Sequence, residues 1–369
     1  MSASRPTRPS SGNAWGGPLR LVLRLLVMGI GLGVITGTVL KLLAPRLSGG
    51  STSVPQLLPP STPSLQPLQR GLNLGRFEPR TELTALSQKW AQLAAVHKDL
   101  QASGYLLVLD DGRYAQLQPE KPLPAASSIK TPILLAALED LDTGKLRWND
   151  PLLLTKEVIG GGAGWMASKP LGTRFPFWEA ATEMIRVSDN SATNLLIKRL
   201  GGKTALNARF QTLGLTGTVI NNWLPDLDGT NTTSSHDLAR AIALVDTGEK
   251  LSPRARDLFR EVMGTSRTNT LLPLGLLMGL GGDSADPDSD LLAHGVTVLN
   301  KTGDIGIAYA DGGLIQLPNG QRAVAAFLVK GPFNDQRSTD LIRAMAAEVA
   351  RTLVGRSSGN AAGTAAAQR

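Results

Sequence analysis

Residues 126–138 read ASSIKTPILLAAL, a single ammonium, Lys130, one helical turn after Ser127 at the head of an otherwise apolar run. The i, i+3 spacing puts the hydroxyl and the amine on one helix face. The nearest carboxylates in the sequence, Glu120 and Glu139, fall outside that first turn. A cation is disfavoured at a helix amino terminus, where backbone dipoles present partial positive charge. Apolar neighbours that strip away water add to the effect, so the lysine pKa is expected to fall and a neutral amine becomes accessible. A neutral amine can take the proton of a serine, and the same helix terminus offers N–H groups to an oxyanion.

Two further motifs follow in order along the chain. Ser188, Asp189 and Asn190 read SDN between two helical patterns, and Lys301, Thr302 and Gly303 read KTG at the end of a strand pattern. An acyl substrate bearing a carboxylate needs a cation and a hydroxyl on the wall facing the serine. KTG supplies both, and Gly303 permits close approach.

The flanking patterns suggest an α+β fold. Leu83, Leu86, Trp90, Leu93, His97 and Leu100 recur at helical steps, with Thr81 as the expected cap. GYLLVLDDGRYAQLQ reads as two strands around an Asp-Gly turn. Five helical patterns follow between residues 128 and 282, then three strand patterns and a helix near STDLIRAMAAEVARTLV. The simplest assembly is a five-stranded antiparallel sheet flanked by the terminal helices, with an all-helical second lobe and a cleft between.

SxxK, SDN and KTG in this order occur together in class A β-lactamases and penicillin-binding proteins. Residues 78–355 resemble a class A β-lactamase, a penicillin-recognising serine hydrolase, through SSIKTPILLAALEDLDTGKLRWND, IRVSDNSATNLLIKRLGG, TNTTSSHDLARA and VLNKTGD. The resemblance implies the two-lobed fold, Ser127 as acylated nucleophile, and Lys130 and Ser188 as proton carriers. It implies Asn190 as a contact to a substrate amide and Lys301 with Thr302 as carboxylate anchor. The N–H groups of Ser127 and Asp304 would form the oxyanion hole, and Asn194 would brace the omega loop. It implies no cofactor, and a β-lactam or a peptidoglycan peptide as partner.

The family's omega loop carries a glutamate, after a tryptophan, that activates the deacylating water. Here the stretch is NWLPDLDGTNTT, so Leu224 stands in the glutamate's place and Asp228 in that of a later asparagine. Leucine cannot accept a proton, and loss of a general base typically removes about 10²- to 10⁴-fold in rate. Slow deacylation is expected; Asp226 or Asp228 is the substitute base if the loop is rethreaded. A peptidoglycan D-Ala-D-Ala carboxypeptidase or esterase, or a non-turnover wall-binding module, is the alternative reading.

Composition excludes other chemistries. The 369-residue chain has no cysteine, which removes thiolate nucleophiles, disulfides and cluster ligation. His97, His236 and His294 are far apart and share no helical spacing, so a zinc site is not expected and no metal-ligating residues are assigned. The net charge of +8 comes from the first 77 residues, which hold eight Arg or Lys and no acid, so the neutral body argues against nucleic-acid binding. In that segment, residues 1–18 read as a basic cytoplasmic tail and 19–43 as an uncleaved transmembrane anchor. The uncharged run Leu25–Leu40 gives about 24 Å of helix, and reaches the roughly 30 Å of a bilayer core if Arg24 and Lys41 snorkel. Arginines ahead of the run put the amino terminus inside and the body on the extracytoplasmic face of the cytoplasmic membrane. Gly29, Gly33 and Gly37 form a ridge on which two anchors could pair. Residues 44–77 read as a Pro/Ser/Gly-rich linker and 356–369 as a disordered tail.

Overall fold

The structure is a computed structural model and describes residues 77–355. The anticipated tail, anchor, pairing ridge and most of the linker lie outside the described residues, as does the segment 356–369. Among the described residues no helix is long and apolar enough to cross a membrane.

The chain begins with the two-residue strand β1 (Thr81–Glu82) and helix α1 (Thr84–Ala95). Strands β2 (Gln101–Val108) and β3 (Arg113–Leu117) form the hairpin expected around Asp111-Gly112, where Gly112 adopts φ 76°. The short β4 (Leu123–Pro124) leads into a 3₁₀ turn over Ala126–Ile129 and helix α2 (Lys130–Asp142). After β5 (Pro151–Leu153) and β6 (Arg174–Pro176) come α3 (Phe177–Arg186), α4 (Asn190–Arg199) and α5 (Gly202–Thr212). Then follow β7 (Thr232–Thr233), α6 (Ser235–Asp246), α7 (Pro253–Met263), α8 (Leu272–Gly279) and α9 (Pro287–Ala293). Strands β8 (Thr297–Asp304), β9 (Ala308–Gln316) and β10 (Arg322–Lys330) and helix α10 (Gln336–Leu353) complete the fold.

The main sheet runs β1-β3-β2-β10-β9-β8. Five strands are antiparallel as expected. The sixth, β1, pairs in parallel with β3, Thr81 opposite Arg113. Thr81 is therefore a strand residue and not a helix cap. The residue ahead of α1 is Leu83, which caps nothing with its side chain, and His97 and Leu100 lie beyond the helix end. The pleat sorts β10 by parity: Ala323, Ala325, Phe327 and Val329 face one core, while Val324 and Ala326 face the other. The first core packs α1, α8 and α10 on the outer face. The second packs α2 to α7, with α6 lying on the inner face against β2, β9 and β10.

Helix α8 was not evident from the sequence, because LPLGLLMG shows no amphipathic period. Tertiary packing holds it. A Cβ on Gly275 would lie 2.7 Å from both Ala346 Cβ and Arg343 O, and one on Gly279 would meet the carbonyl of Ala347. The backbones of α8 and α10 thus approach as closely as glycine permits. Gly279→Ala is expected to lower stability by about 1–2 kcal/mol, because the clash with backbone exceeds the gain in helix propensity. Thermal unfolding checks this: a fall in Tm is predicted, and an unchanged or raised Tm would remove the close-packing argument.

Candidate active site

Three separate segments meet at Ser127. The 3₁₀ turn carrying it begins at Ala126, whose φ of 46° is in the left-handed region that a residue with a Cβ enters only at a cost of about 1–3 kcal/mol. Ser188 has φ 61° and is strained in the same way. Two of the four non-glycine residues with positive φ among the described residues therefore border one spot. Surrounding packing holds them there.

Lys130 is completely buried and its Nζ is surrounded by oxygens. Ser127 Oγ lies 3.0 Å away, Ser188 Oγ 2.9 Å, Ser188 O 2.7 Å and Asn190 Oδ1 2.9 Å. Two of these, the carbonyl and the amide oxygen, can only accept, whereas the two hydroxyls can also donate. A neutral amine satisfies this set: it donates twice to the obligate acceptors and takes a hydroxyl proton on its lone pair. Burial is the main force pushing the Lys130 pKa well below its usual value. The nearby Lys301 pushes the same way, and Asp189 opposes them. A carboxylate distant in sequence thus bears on the lysine, contrary to the absence of one in its own first turn.

The opposite wall is β8. Lys301 is fully buried and its Nζ donates to Thr302 O at 2.7 Å. Burial lowers its pKa to about 8, with Asp311 pulling the other way. Gly303 lies against the Ser127 turn: a Cβ there would be 2.8 Å from Ser127 N and from Ser128 N. Asp304 stands at the exposed end of the strand, its carboxylate accepting from Gly306 N at 2.8 Å.

Asn194 holds the loop containing Leu224 by both backbone groups. Its Nδ2 donates to Leu224 O at 2.7 Å, and Leu224 N donates to its Oδ1 at 2.9 Å. Leu224 itself is buried in the inner core. Asp226 is engaged within the loop, accepting from Asn231 N at 2.6 Å, Thr230 Oγ1 at 2.9 Å and Asn222 Nδ2 at 3.3 Å. Asp228 is exposed.

Sequence reasoning missed two residues. Asp311 on β9, opposite Thr302, accepts from Asn300 Nδ2 and Leu272 N, and burial raises its pKa to about 7. No sequence signal marks it beyond an aspartate inside an apolar strand pattern. The other is Asp189, which the sequence shows only as the middle residue of SDN. It does cap α4, accepting from Ala192 N at 2.9 Å, but its second oxygen accepts from Trp165 N at 2.7 Å and Met166 N at 2.8 Å. The glycine-rich stretch around residues 160–165 is therefore fastened to the SDN turn. Asn190 Nδ2 donates to Gly161 O at 2.8 Å, and a Cβ on Gly164 (φ 93°) would collide with the Asp189 carboxylate.

A profile of the β-lactamase enzyme family matches residues 85–353. The chain belongs to that family. Its fold is that of class A β-lactamases. A solved structure of PBP-A superposes with a TM-score of 0.69 at 41% identity, covering 75% of this chain and 98% of that one. A leucine-to-glutamate mutant of PBP-A, an acyl-enzyme complex with penicillin G, superposes at 0.68. The β-lactamase of Streptomyces albus G is 30% identical over 40% of this chain and 50% of its own length. The extended-spectrum β-lactamase PER-1 of Pseudomonas aeruginosa is 26% identical over 65% of this chain and 78% of its own. The chain spans half to two thirds of the curated Streptomyces relatives it matches first.

The hub made by Asp189 is testable. Asp189→Ala leaves three N–H groups without an acceptor and is expected to cost about 3 kcal/mol. Asp189→Asn, which keeps an acceptor oxygen, should cost less than half of that. Equal losses in chemical denaturation would contradict the hub.

Proposed function

We propose that the chain is a serine acyl enzyme that opens β-lactams on Ser127 and releases the product slowly. The observation that carries this reading is the buried Lys130 amine, 3.0 Å from Ser127 Oγ and 2.9 Å from Ser188 Oγ. In this scheme Ser127 Oγ gives its proton to Lys130 Nζ and attacks the lactam carbonyl. The oxyanion rests on the N–H groups of Ser127 and Asp304. The C–N bond breaks as a proton passes through Ser188 to the leaving nitrogen. Lys301 and Thr302 hold the substrate carboxylate, and Asn190 holds its side-chain amide. The penicillin G acyl-enzyme of the PBP-A mutant supports acylation.

Release is the step that lacks a part. With Leu224 in the glutamate's place and Asp226 engaged by its own loop, no carboxylate is assigned to activate water. That absence also favours a second reading of the physiological substrate, a peptidoglycan D-Ala-D-Ala peptide or ester, for which this glutamate is not required. The anchor over 19–43 would hold the domain on the extracytoplasmic side of the membrane.

Intact-protein mass spectrometry after exposure to penicillin G tests the reading. One persistent adduct per chain is expected, absent in Ser127→Ala, with Leu224→Glu shortening its lifetime by about 10²-fold. No adduct, or one that survives Ser127→Ala, overturns the proposal; an unchanged lifetime in Leu224→Glu overturns the assignment of position 224.

The pH profile of acylation supplies another check. Lys301 is charged below about pH 8 and neutral above it. The second-order acylation rate with penicillin G should therefore fall about tenfold per unit well above pH 8. A rate still flat at about pH 10 would remove Lys301 as the carboxylate anchor.

A further inference from the structure

At the start of α6, on the segment that leads to the nucleophile turn, three potential ligands converge. Glu120, His236 and Asp237 each offer a donor atom, all within 4.8 Å of one another. His236 Nδ1 is 3.2 Å from Glu120 Oε1 and 3.9 Å from Asp237 Oδ1. A tetrahedral cation with bonds of about 2.0–2.1 Å sets its ligands roughly 3.3 Å apart. The His236–Glu120 separation is near what such an ion needs, the His236–Asp237 one is about 0.6 Å longer, and the exposed Glu120 side chain is free to adjust.

Independent of that spacing, the site is short of hydrogen-bond partners. Six buried side-chain polar atoms have none among the described residues, and three belong here: Tyr105 Oη, His236 Nδ1 and Asp237 Oδ1. The Asp237 side chain is wholly buried, so its bare oxygen bears a full desolvation cost unless something binds it. Its other oxygen accepts from Gly217 N and from Thr218 Oγ1, both at 2.8 Å, which fixes the aim of the free one toward the imidazole. The ring is fixed as well. It packs edge-on to Phe77 at 5.0 Å and to Tyr105 at 5.1 Å, and His236 N donates to Pro119 O at 3.1 Å, beside Glu120. Ligands oriented by neighbours in this way are typical of built metal sites.

We propose that Glu120 Oε1, His236 Nδ1 and Asp237 Oδ1 bind a divalent transition-metal cation, for which zinc is the probe. One imidazole and two carboxylates suit such ions, and the two negative charges offset the unfavourable partial positive charge of the helix start. The ion would tie the residue 118–122 segment, seven residues ahead of Ser127 at Glu120, to the first turn of α6. The inference is independent of the acyl-enzyme reading. Histidine spacing in the sequence could not disclose the site, because only one ligand is a histidine and Glu120 is remote in the chain.

The test uses the full chain stripped with a chelator, titrated with zinc chloride by calorimetry and followed by thermal unfolding. One zinc per chain is expected, with Tm rising by about 4 °C or more once zinc stands about 100-fold above Kd. His236→Gln should lose at least about 100-fold in affinity, and Glu120→Gln about tenfold, with far-UV circular dichroism of the metal-free proteins unchanged. Should His236→Gln fail to fold, the exposed Glu120→Gln still decides. No stoichiometric uptake, or uptake untouched by either substitution in a folded protein, overturns the proposal. So does a Tm that does not change when zinc is added to the folded, metal-free protein.

Discussion

The site depends on one amine being kept out of water. Lys130 has no carboxylate in hydrogen-bond contact, and its four near neighbours are uncharged oxygens. Desolvation is the largest influence on its proton, and a second buried amine, Lys301, adds repulsion. Both favour the neutral form, which makes an otherwise inert ammonium into a base beside a hydroxyl.

Much of the fold serves that placement. Lys130 heads α2, whose apolar side chains lie in the inner core, while the sheet brings Gly303 against the Ser127 turn. The left-handed backbone at Ala126 and Ser188 is part of the same arrangement, since local strain persists only where packing overdetermines it. Asp189 fastens the α4 start to the residue 160–166 segment, and Asn194 fastens the Leu224 loop to the middle of α4. Helix α4 therefore fixes two walls of the site at once. The Leu224 loop is held from both sides, by Asn194 on its backbone and by the bonds of Asp226 to Asn222, Thr230 and Asn231.

The meeting of Ser127 with Lys130 was legible in the sequence because short motifs carry their own geometry. An i, i+3 pair on a helix start meets by construction, and the order SxxK, SDN, KTG gave the resemblance its specificity. The hairpin was legible through Asp111-Gly112, where the turn conformation demands glycine. Long-range partners were not. Nothing local tells Asp189 that Trp165 N will reach it, or marks Asp311 as the carboxylate beside Lys301. Thr81 looked like a cap because threonine before a helical pattern usually is one; pairing with β3 overrode that preference. Helix α8 escaped because its glycines answer to α10, not to a period within its own residues.

The most direct measurement of the central claim is the charge of Lys130 itself. In protein carrying ¹³C,¹⁵N-labelled lysine, with the Lys130 signal assigned by its loss in Lys130→Arg, the Cε and Nζ shifts should be those of a neutral amine at pH 7. Shifts of an ammonium that persist to about pH 10, the range of an ordinary lysine, would contradict the account.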